Sequence, residues 1–354
     1  MPNPAHHRET CVSQKTATGV SPRGIKPKAV IILDESRRAN VYGPLQIQEL
    51  EKFVQIAPRI HTKESILEDP ADLAEAEIIL GSWNLPVIDA PFLKLAPKLK
   101  AIFYAAGSIR YFATEALWER GIRVSACSKE IGITVAEFAL GQILVSLKTM
   151  WQHNARLRQN KNWERGPFPG IYESTVGLVS LGTVARHLVK LLRNFNVNII
   201  AYDPVILPEQ ARELGVELCP LEEVFTRSDV VSVHAPWLPQ TERMIRGYHL
   251  EKMRLNSTLI NTSRGAVIAE DEMIEVLRRR PDLYALLDVT HPEPPAADSL
   301  LYELPNVLLT PHLAGSNWNE CRRLGRMVCD DLQSYLQGRP LVGEITRKMM
   351  PYIA

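Results

Sequence analysis

The chain has 354 residues, 45% hydrophobic and 23% charged, which allows two or three domains with a sizeable core. Its 41 basic and 40 acidic side chains leave a formal net charge of +1 and are spread along the sequence, which argues against a nucleic-acid footprint or a polybasic membrane anchor and points to small ligands. Five scattered cysteines, Cys11, Cys127, Cys219, Cys321 and Cys329, form no C-x-x-C spacing, so neither a disulfide framework nor a metal site is expected and the setting reads as reducing.

Met1 to Lys28 is rich in Pro, Ser, Thr, Lys and His and lacks the apolar core of a secretory signal; it reads as a disordered tail. No later run reads as long enough to cross a bilayer, so a cytoplasmic protein is expected. From Ala29 onward, short apolar runs alternate with helical stretches: Ala29–Leu33, then a helix over Gln46–Phe53, then Ala76–Leu80, Lys100–Tyr104 and Ile122–Ser125. Runs of this length between Pro/Gly turns and helices mark buried parallel strands, hence one α/β domain. Ile133–Gln152 has a long apolar helical pattern, and Asn160–Glu173, with Trp163, Pro167, Phe168, Pro169 and Gly170, reads as an extended arm between two α/β units.

The second unit opens at Val176. Val176 to Ala185 reads as strand, tight turn and helix start, and Asn198 to Asp203 as a second strand ending in an acid, the layout that offers a helix N-terminus to a pyrophosphate and a carboxylate to a ribose. A full glycine fingerprint would place Gly at 180, 182 and 185; here Ser180 and Ala185 flank Gly182, and a plain βαβ crossover fits the stretch as well. Further strands are expected near Val231, Leu259, Ala285 and Leu308, which makes a doubly wound parallel sheet. Polar residues follow these runs in turn: Asp203, His234, Thr262-Ser263-Arg264, Asp288 with Glu293, and His312. In open α/β sheets ligands sit outside the carboxyl ends of the strands, so these residues should converge on one crevice. A helix over Trp318–Gln337 then leaves the sheet, and the end of the chain should pack back on the first domain.

Arg264 carries a planar fork of donors suited to a carboxylate beside a carbonyl, although an isolated Arg equally serves a surface ion pair. His312 follows a strand directly, where a proton donor is useful, although lone histidines are often structural. Glu293 could orient that imidazole and favour its charged form, or be a solvated loop acid. All three fall on the same sheet edge as the nucleotide turn, which favours a joint role.

Residues 29 to about 340 resemble the NAD-dependent D-isomer-specific 2-hydroxyacid dehydrogenase family. The resemblance is carried by the nucleotide turn, His234-Ala-Pro-Trp-Leu-Pro-Gln-Thr241, Asn261-Thr-Ser-Arg-Gly265, Leu287-Asp-Val with Glu293-Pro294, and Thr310-Pro-His-Leu-Ala-Gly-Ser316. It implies a Rossmann NAD-binding domain over 133–318, with a dimerisation arm near 151–175, and a smaller flavodoxin-like substrate domain over 29–132 plus 319–354. It implies Arg264 on the substrate carboxylate and carbonyl, His312 as proton donor and acceptor, and Glu293 paired with it. Around NAD(H) it implies Leu181, Gly182, Thr183 and Val184 at the pyrophosphate, Asp203 on the adenosine ribose, Asp288 on the nicotinamide carboxamide, and His234, Ala235, Pro236, Thr241, Thr262, Ser263 and Gly315 nearby. Ser82, Gly107 and Ser108 are implied on the substrate side, with closure about hinges near 132 and 318 and a two-fold dimer through the helix and arm. Arg110 stands where the family commonly has an acid; it is either an extra cation for a second acidic group or a surface residue. Phosphite dehydrogenases and NAD-sensing corepressors resemble the same fold and stay open as alternatives.

Overall fold

The computed structural model describes residues 26–353. Of the expected tail, Met1–Ile25 lies outside the described residues, and Lys28 already opens the first strand.

The first sheet is built from β1 (Lys28–Ile32), β2 (Gln55–His61), β3 (Ile78–Gly81), β4 (Ala101–Tyr104) and β5 (Arg123–Ala126), hydrogen-bonded in the order β2-β1-β3-β4-β5 with all five parallel. β3 and β4 are buried at every position because helices cover both faces, which is why they read as unbroken apolar runs. The edge strand β2 escaped that reading: Gln55-Ile-Ala-Pro-Arg-Ile-His61 is mostly half-buried or exposed and includes Pro58, which an edge strand tolerates because a missing N–H there breaks no interior ladder.

The second sheet contains β6 (Thr175–Val179), β7 (Asn198–Tyr202), β8 (Glu217–Leu218), β9 (Val230–Val233), β10 (Thr258–Asn261), β11 (Tyr284–Leu287) and β12 (Val307–Leu309). Its order is β8-β7-β6-β9-β10-β11-β12, wholly parallel, so the winding reverses between β6 and β9. That reversal opens the crevice where doubly wound sheets bind dinucleotides.

Two segments join the halves. β5 runs through Cys127 into the helix Ser128–Leu147, about five residues earlier at each end than the apolar pattern indicated; the chain then breaks at Thr149 (φ +44°) before a second helix, Met150–Asn160. Contrary to the sequence expectation, Ser128–Leu147 is long and apolar enough, by length and composition, to cross a membrane, with mean hydropathy 1.5. Its Ala136, Ala139, Ile143 and Leu147 are instead fully buried in the second domain's core with Leu178, Leu188 and Leu192. Gly132 in its second turn is the close approach to the nucleotide-side helix Thr183–Leu192: a Cβ there would lie 3.1 Å from Thr183 Cγ2. The return segment is the helix Cys321–Leu336, whose Leu324, Val328 and Leu332 pack with Ile31, Leu80 and Phe103 of the first sheet. Buried Asp331 accepts Val342 N (2.8 Å), Gly343 N (2.9 Å) and Ser125 Oγ (2.5 Å), which seats the last strand, β13 (Glu344–Ile345), antiparallel against β5.

Candidate active site

The nucleotide turn lies at the reversal of the second sheet. Gly182 caps the helix Thr183–Leu192 in an extended conformation with no side chain on the first turn's amides, and a Cβ on it would meet nothing within 4 Å. The helix therefore presents free N–H groups, at its positive end, to open space. Ser180 takes the left-handed backbone that a glycine would adopt without cost (φ +80°). Asp203 closes the turn: its Oδ2 accepts Leu181 N (2.7 Å) and Ser180 Oγ (3.3 Å), and its Oδ1 accepts Val205 N (2.8 Å) and Ile206 N (3.1 Å). Ala185 is fully buried against the sheet, where the small side chain keeps helix and strand close. On the other side of the crevice, the buried hydroxyl of Thr262 has no hydrogen-bond partner. Free helix amides, an open approach at Gly182, an acid at the tip of β7 and an orphaned hydroxyl make a cradle that fits a dinucleotide.

The reactive cluster stands at the ends of β10, β11 and β12. Nδ1 of His312 is 2.6 Å from Glu293 Oε1. His312 itself is left-handed (φ +54°) and its N–H bonds to the carbonyls of Thr310 (2.9 Å) and Asp288 (3.0 Å), a special backbone held by its surroundings. Asp288, almost fully buried, accepts Thr310 Oγ1 (2.5 Å), Leu313 N (2.7 Å) and Ala314 N (2.8 Å), so its carboxylate shapes the histidine loop from both sides. Arg264 follows β10 and donates from Nη1 to Ser263 O (2.6 Å). Burial holds its guanidinium below the usual arginine range, and the nearby Glu293 charge works in the opposite direction. Gly265 is obligatory here: a Cβ would lie 2.0 Å from the carbonyl carbon of Thr290. Arg264, Glu293 and His312 are thus drawn to one rim.

After β9, burial pushes the His234 imidazole down to about 4, so the ring is neutral; it shares a hydrogen bond with Ser232 Oγ (3.0 Å). Ala235 is buried, and Thr241 Oγ1 accepts Leu238 N (2.9 Å) and donates to Pro236 O, folding this loop on itself. Ser263 N bonds Asn261 Oδ1 (3.0 Å), and Gly315 O accepts Asn317 Nδ2 (2.9 Å).

Across the cleft, Gly107 and Gly315 approach the same side chain, Ile131: a Cβ on either would be 3.4 or 3.9 Å from it. Ser108 is half-buried, with Oγ accepting Arg110 N (3.4 Å). Ser82 is fully buried and its hydroxyl donates to Ala105 O (3.1 Å), which ties the loops after β3 and β4 together. Arg110 is exposed, as its surface reading has it, and its fork holds the carbonyls of Met350 (2.6 Å) and Ile353 (2.7 Å) in the C-terminal segment. Sequence reasoning missed four contacts. Arg37 stacks over Trp83 and donates to Asn317 (3.1 Å), Trp237 packs edge-on against His291, and Glu270 accepts His291 N (3.0 Å). No spacing pattern announces any of them; each depends on loops brought together by the sheet order.

Residues 140–314 match the model of the D-isomer specific 2-hydroxyacid dehydrogenase, NAD binding domain. A glyoxylate reductase of Korarchaeum cryptofilum is 31% identical over 258 residues, covering 71% of this chain and 77% of that protein. The chain belongs to the D-isomer specific 2-hydroxyacid dehydrogenase family. Its cofactor is NAD(H). D-3-phosphoglycerate dehydrogenase of Methanocaldococcus jannaschii is 32% identical over 297 residues, which are 83% of this chain and 55% of that one; the chain spans about half the length of the phosphoglycerate dehydrogenases it matches. The fold is shared with a glyoxylate reductase from Paecilomyes thermophila, at TM-score 0.73 and 20% identity over 91% of this chain and 99% of that one. It is shared equally with the NAD-complexed D-isomer specific 2-hydroxyacid dehydrogenase of Lactobacillus delbrueckii ssp. bulgaricus, at TM-score 0.73 and 21% identity over 90% of this chain and all of that one.

Proposed function

We propose that this protein interconverts a 2-hydroxy acid and its 2-oxo acid. The observation that carries the reading is the Glu293–His312 pair standing beside half-buried Arg264 on the rim of a dinucleotide-binding sheet. When bound, NAD(H) supplies or accepts the hydride. Arg264 holds the substrate carboxylate and polarises the adjacent carbonyl. In reduction His312 gives a proton from Nε2 to the carbonyl oxygen, and in oxidation it takes one back. Glu293, on Nδ1, orients the ring and favours its charged form. Asp288 keeps the histidine loop in place and contributes to the nicotinamide side, while Asp203 takes the adenosine ribose and, by its charge, disfavours a 2′-phosphate.

In this reading residues 29–132 with 319–354 form the substrate domain and 133–318 the NAD domain. Closure about the two crossings excludes water from the transfer. Arm residues Trp163 and Tyr172 expose 85% and 69% of their surface, which fits coverage by a second copy of the chain. Sedimentation of the full chain tests that dimer. The activity is tested by NADH oxidation against glyoxylate, hydroxypyruvate, and branched-chain and aromatic 2-oxo acids, with NAD reduction by phosphite as a separate arm. Turnover with a 2-oxo acid supports the reading. Turnover with phosphite alone makes it a phosphite dehydrogenase, and tight NADH binding with silence in every arm favours an NAD(H) sensor.

A further inference from the structure

Glu293 sits on an exposed loop at the end of β11, and between His291 and Pro295 only two hydrogen bonds reach other elements among the described residues. One is the Glu293–His312 pair; the other runs from His291 N to Glu270 Oε2 (3.0 Å). Glu270 is the first residue of the helix Glu270–Arg279 and follows the Arg264-Gly265 turn by five residues, so it belongs to the same segment that delivers the substrate-binding arginine. The loop start is clamped from two more sides. Gly265 lies flat against Thr290, where a side chain would collide, and the Trp237 ring meets the His291 ring edge-on at 5.2 Å, its own Nε1 held by Glu242 (3.2 Å). Thr290 Oγ1 then donates to Pro292 O (2.8 Å) within the loop.

We propose that Glu270 is a positioning residue for the acid-base pair: by holding His291 N it sets the place of Glu293, two residues on, against His312. An acid in the first turn of a helix is ordinarily explained by the helix dipole alone. Of its neighbours, Asp271 pairs with Arg243 (2.8 Å) at the surface, and half-buried Glu272 pairs with Arg246 and accepts Gly247 N (2.8 Å). Glu270 is set apart by its partner: its half-buried carboxylate is turned to the backbone of the loop that carries Glu293. Burial raises its pKa, with the His291 amide and imidazole lowering it and Asp271 raising it further. What the His291 amide needs from Glu270 is an acceptor oxygen, and the side-chain oxygen of a glutamine can supply it.

The inference rests on His312 and Glu293 being the acid-base pair, so its test includes a readout free of turnover. His312 is titrated by NMR in the full-length protein and in Glu270→Gln, Glu270→Ala, Asp271→Asn and Glu293→Gln, with thermal midpoints measured alongside. Glu270→Ala is expected to lower the His312 midpoint by about half a pH unit or more, as the carboxylate that favours the imidazolium drifts away. Glu270→Gln and Asp271→Asn should leave it in place. In the kinetic arm, Glu270→Ala loses about threefold to tenfold in kcat while KM for NADH is unchanged, and Glu270→Gln restores the rate. If Glu293→Gln moves the midpoint and Glu270→Ala does not, the positioning role is overturned. It is also overturned if Glu270→Gln moves the midpoint as far as Glu270→Ala. If Glu293→Gln itself has no effect, the pair is not coupled and the failure belongs to the underlying reading.

Discussion

His312 Nδ1 lies 2.6 Å from Glu293 Oε1, and the two side chains keep 47% and 42% of their surface exposed. A carboxylate on Nδ1 fixes the ring and leaves Nε2 as the nitrogen that exchanges protons with a ligand. The partial exposure keeps that nitrogen within reach of the cleft. His312→Ala should therefore lower the rate of 2-oxo acid reduction by about 10² or more with little change in NADH affinity, measured by steady-state kinetics and by titration of NADH fluorescence. Glu293→Gln keeps the hydrogen bond and loses the charge. Its rate of 2-oxo acid reduction should fall by about tenfold or more with KM for NADH near wild type, read in the same steady-state assay.

Arg264 is half-buried near Glu293, and an alternative cation cannot reproduce its fork. Arg264→Lys should raise KM for the oxo acid and lower kcat together, by about tenfold or more in kcat/KM, while KM for NADH stays near wild type. Unchanged kinetics across the panel of acids would remove the clamp.

The apolar runs of the parallel strands were legible because both faces of β3, β4, β9 and β10 are buried, and the polar residues that follow β7, β9, β10, β11 and β12 stood out against them. What stayed hidden depends on packing between loops far apart in sequence. β2 has no apolar run to announce it, since one edge faces solvent. Ser82 carries a hydroxyl that looks available until the neighbouring strand brings Ala105 O to it. Arg110 could be placed at the surface from sequence, but not its partners, the C-terminal carbonyls some 240 residues on. Asp203 read as a ribose ligand, and the structure adds that its carboxylate already holds four donors of the nucleotide turn.

That last point changes what a substitution at Asp203 does. Asp203→Ala should weaken NADH binding and lower the thermal midpoint of the cofactor-free protein at once, because it leaves the amides of Leu181, Val205 and Ile206 without their acceptor. Asp203→Asn keeps one acceptor oxygen and loses the charge, so it should narrow the preference for NADH over NADPH with a smaller loss of stability. Calorimetric titration of both cofactors, set beside thermal melts, separates the two effects.

Ser180 bears the backbone cost of the missing glycine. With φ at +80° and a hydrogen bond of 3.3 Å to Asp203 as its only side-chain return, Ser180→Gly should stabilise the cofactor-free protein by about 1 kcal/mol and tighten NADH binding. A lower melting temperature in the glycine variant would mean that the hydroxyl contributes more than the strain removes.

Burial holds His234 down to about 4, below the value of about 6.5 in an unfolded chain. The unfolded state then binds the extra proton first. The stabilisation tied to neutral His234 is complete above about pH 6.5 and is lost as pH falls towards 4. His234→Gln should flatten that part of the stability curve, read by denaturant unfolding at a series of pH values without cofactor.

The central claim is that Arg264, Glu293 and His312 form one hydride-transfer centre with the NAD(H) site, and single-turnover kinetics tests it most directly. Protein pre-loaded with NADH is mixed with the best 2-oxo acid of the panel, and loss of NADH is followed in the wild type and in His312→Ala. The account predicts a rapid wild-type phase yielding the D-hydroxy acid and a phase slower by about 10² or more in the variant. A variant that oxidises NADH as fast as the wild type would contradict it.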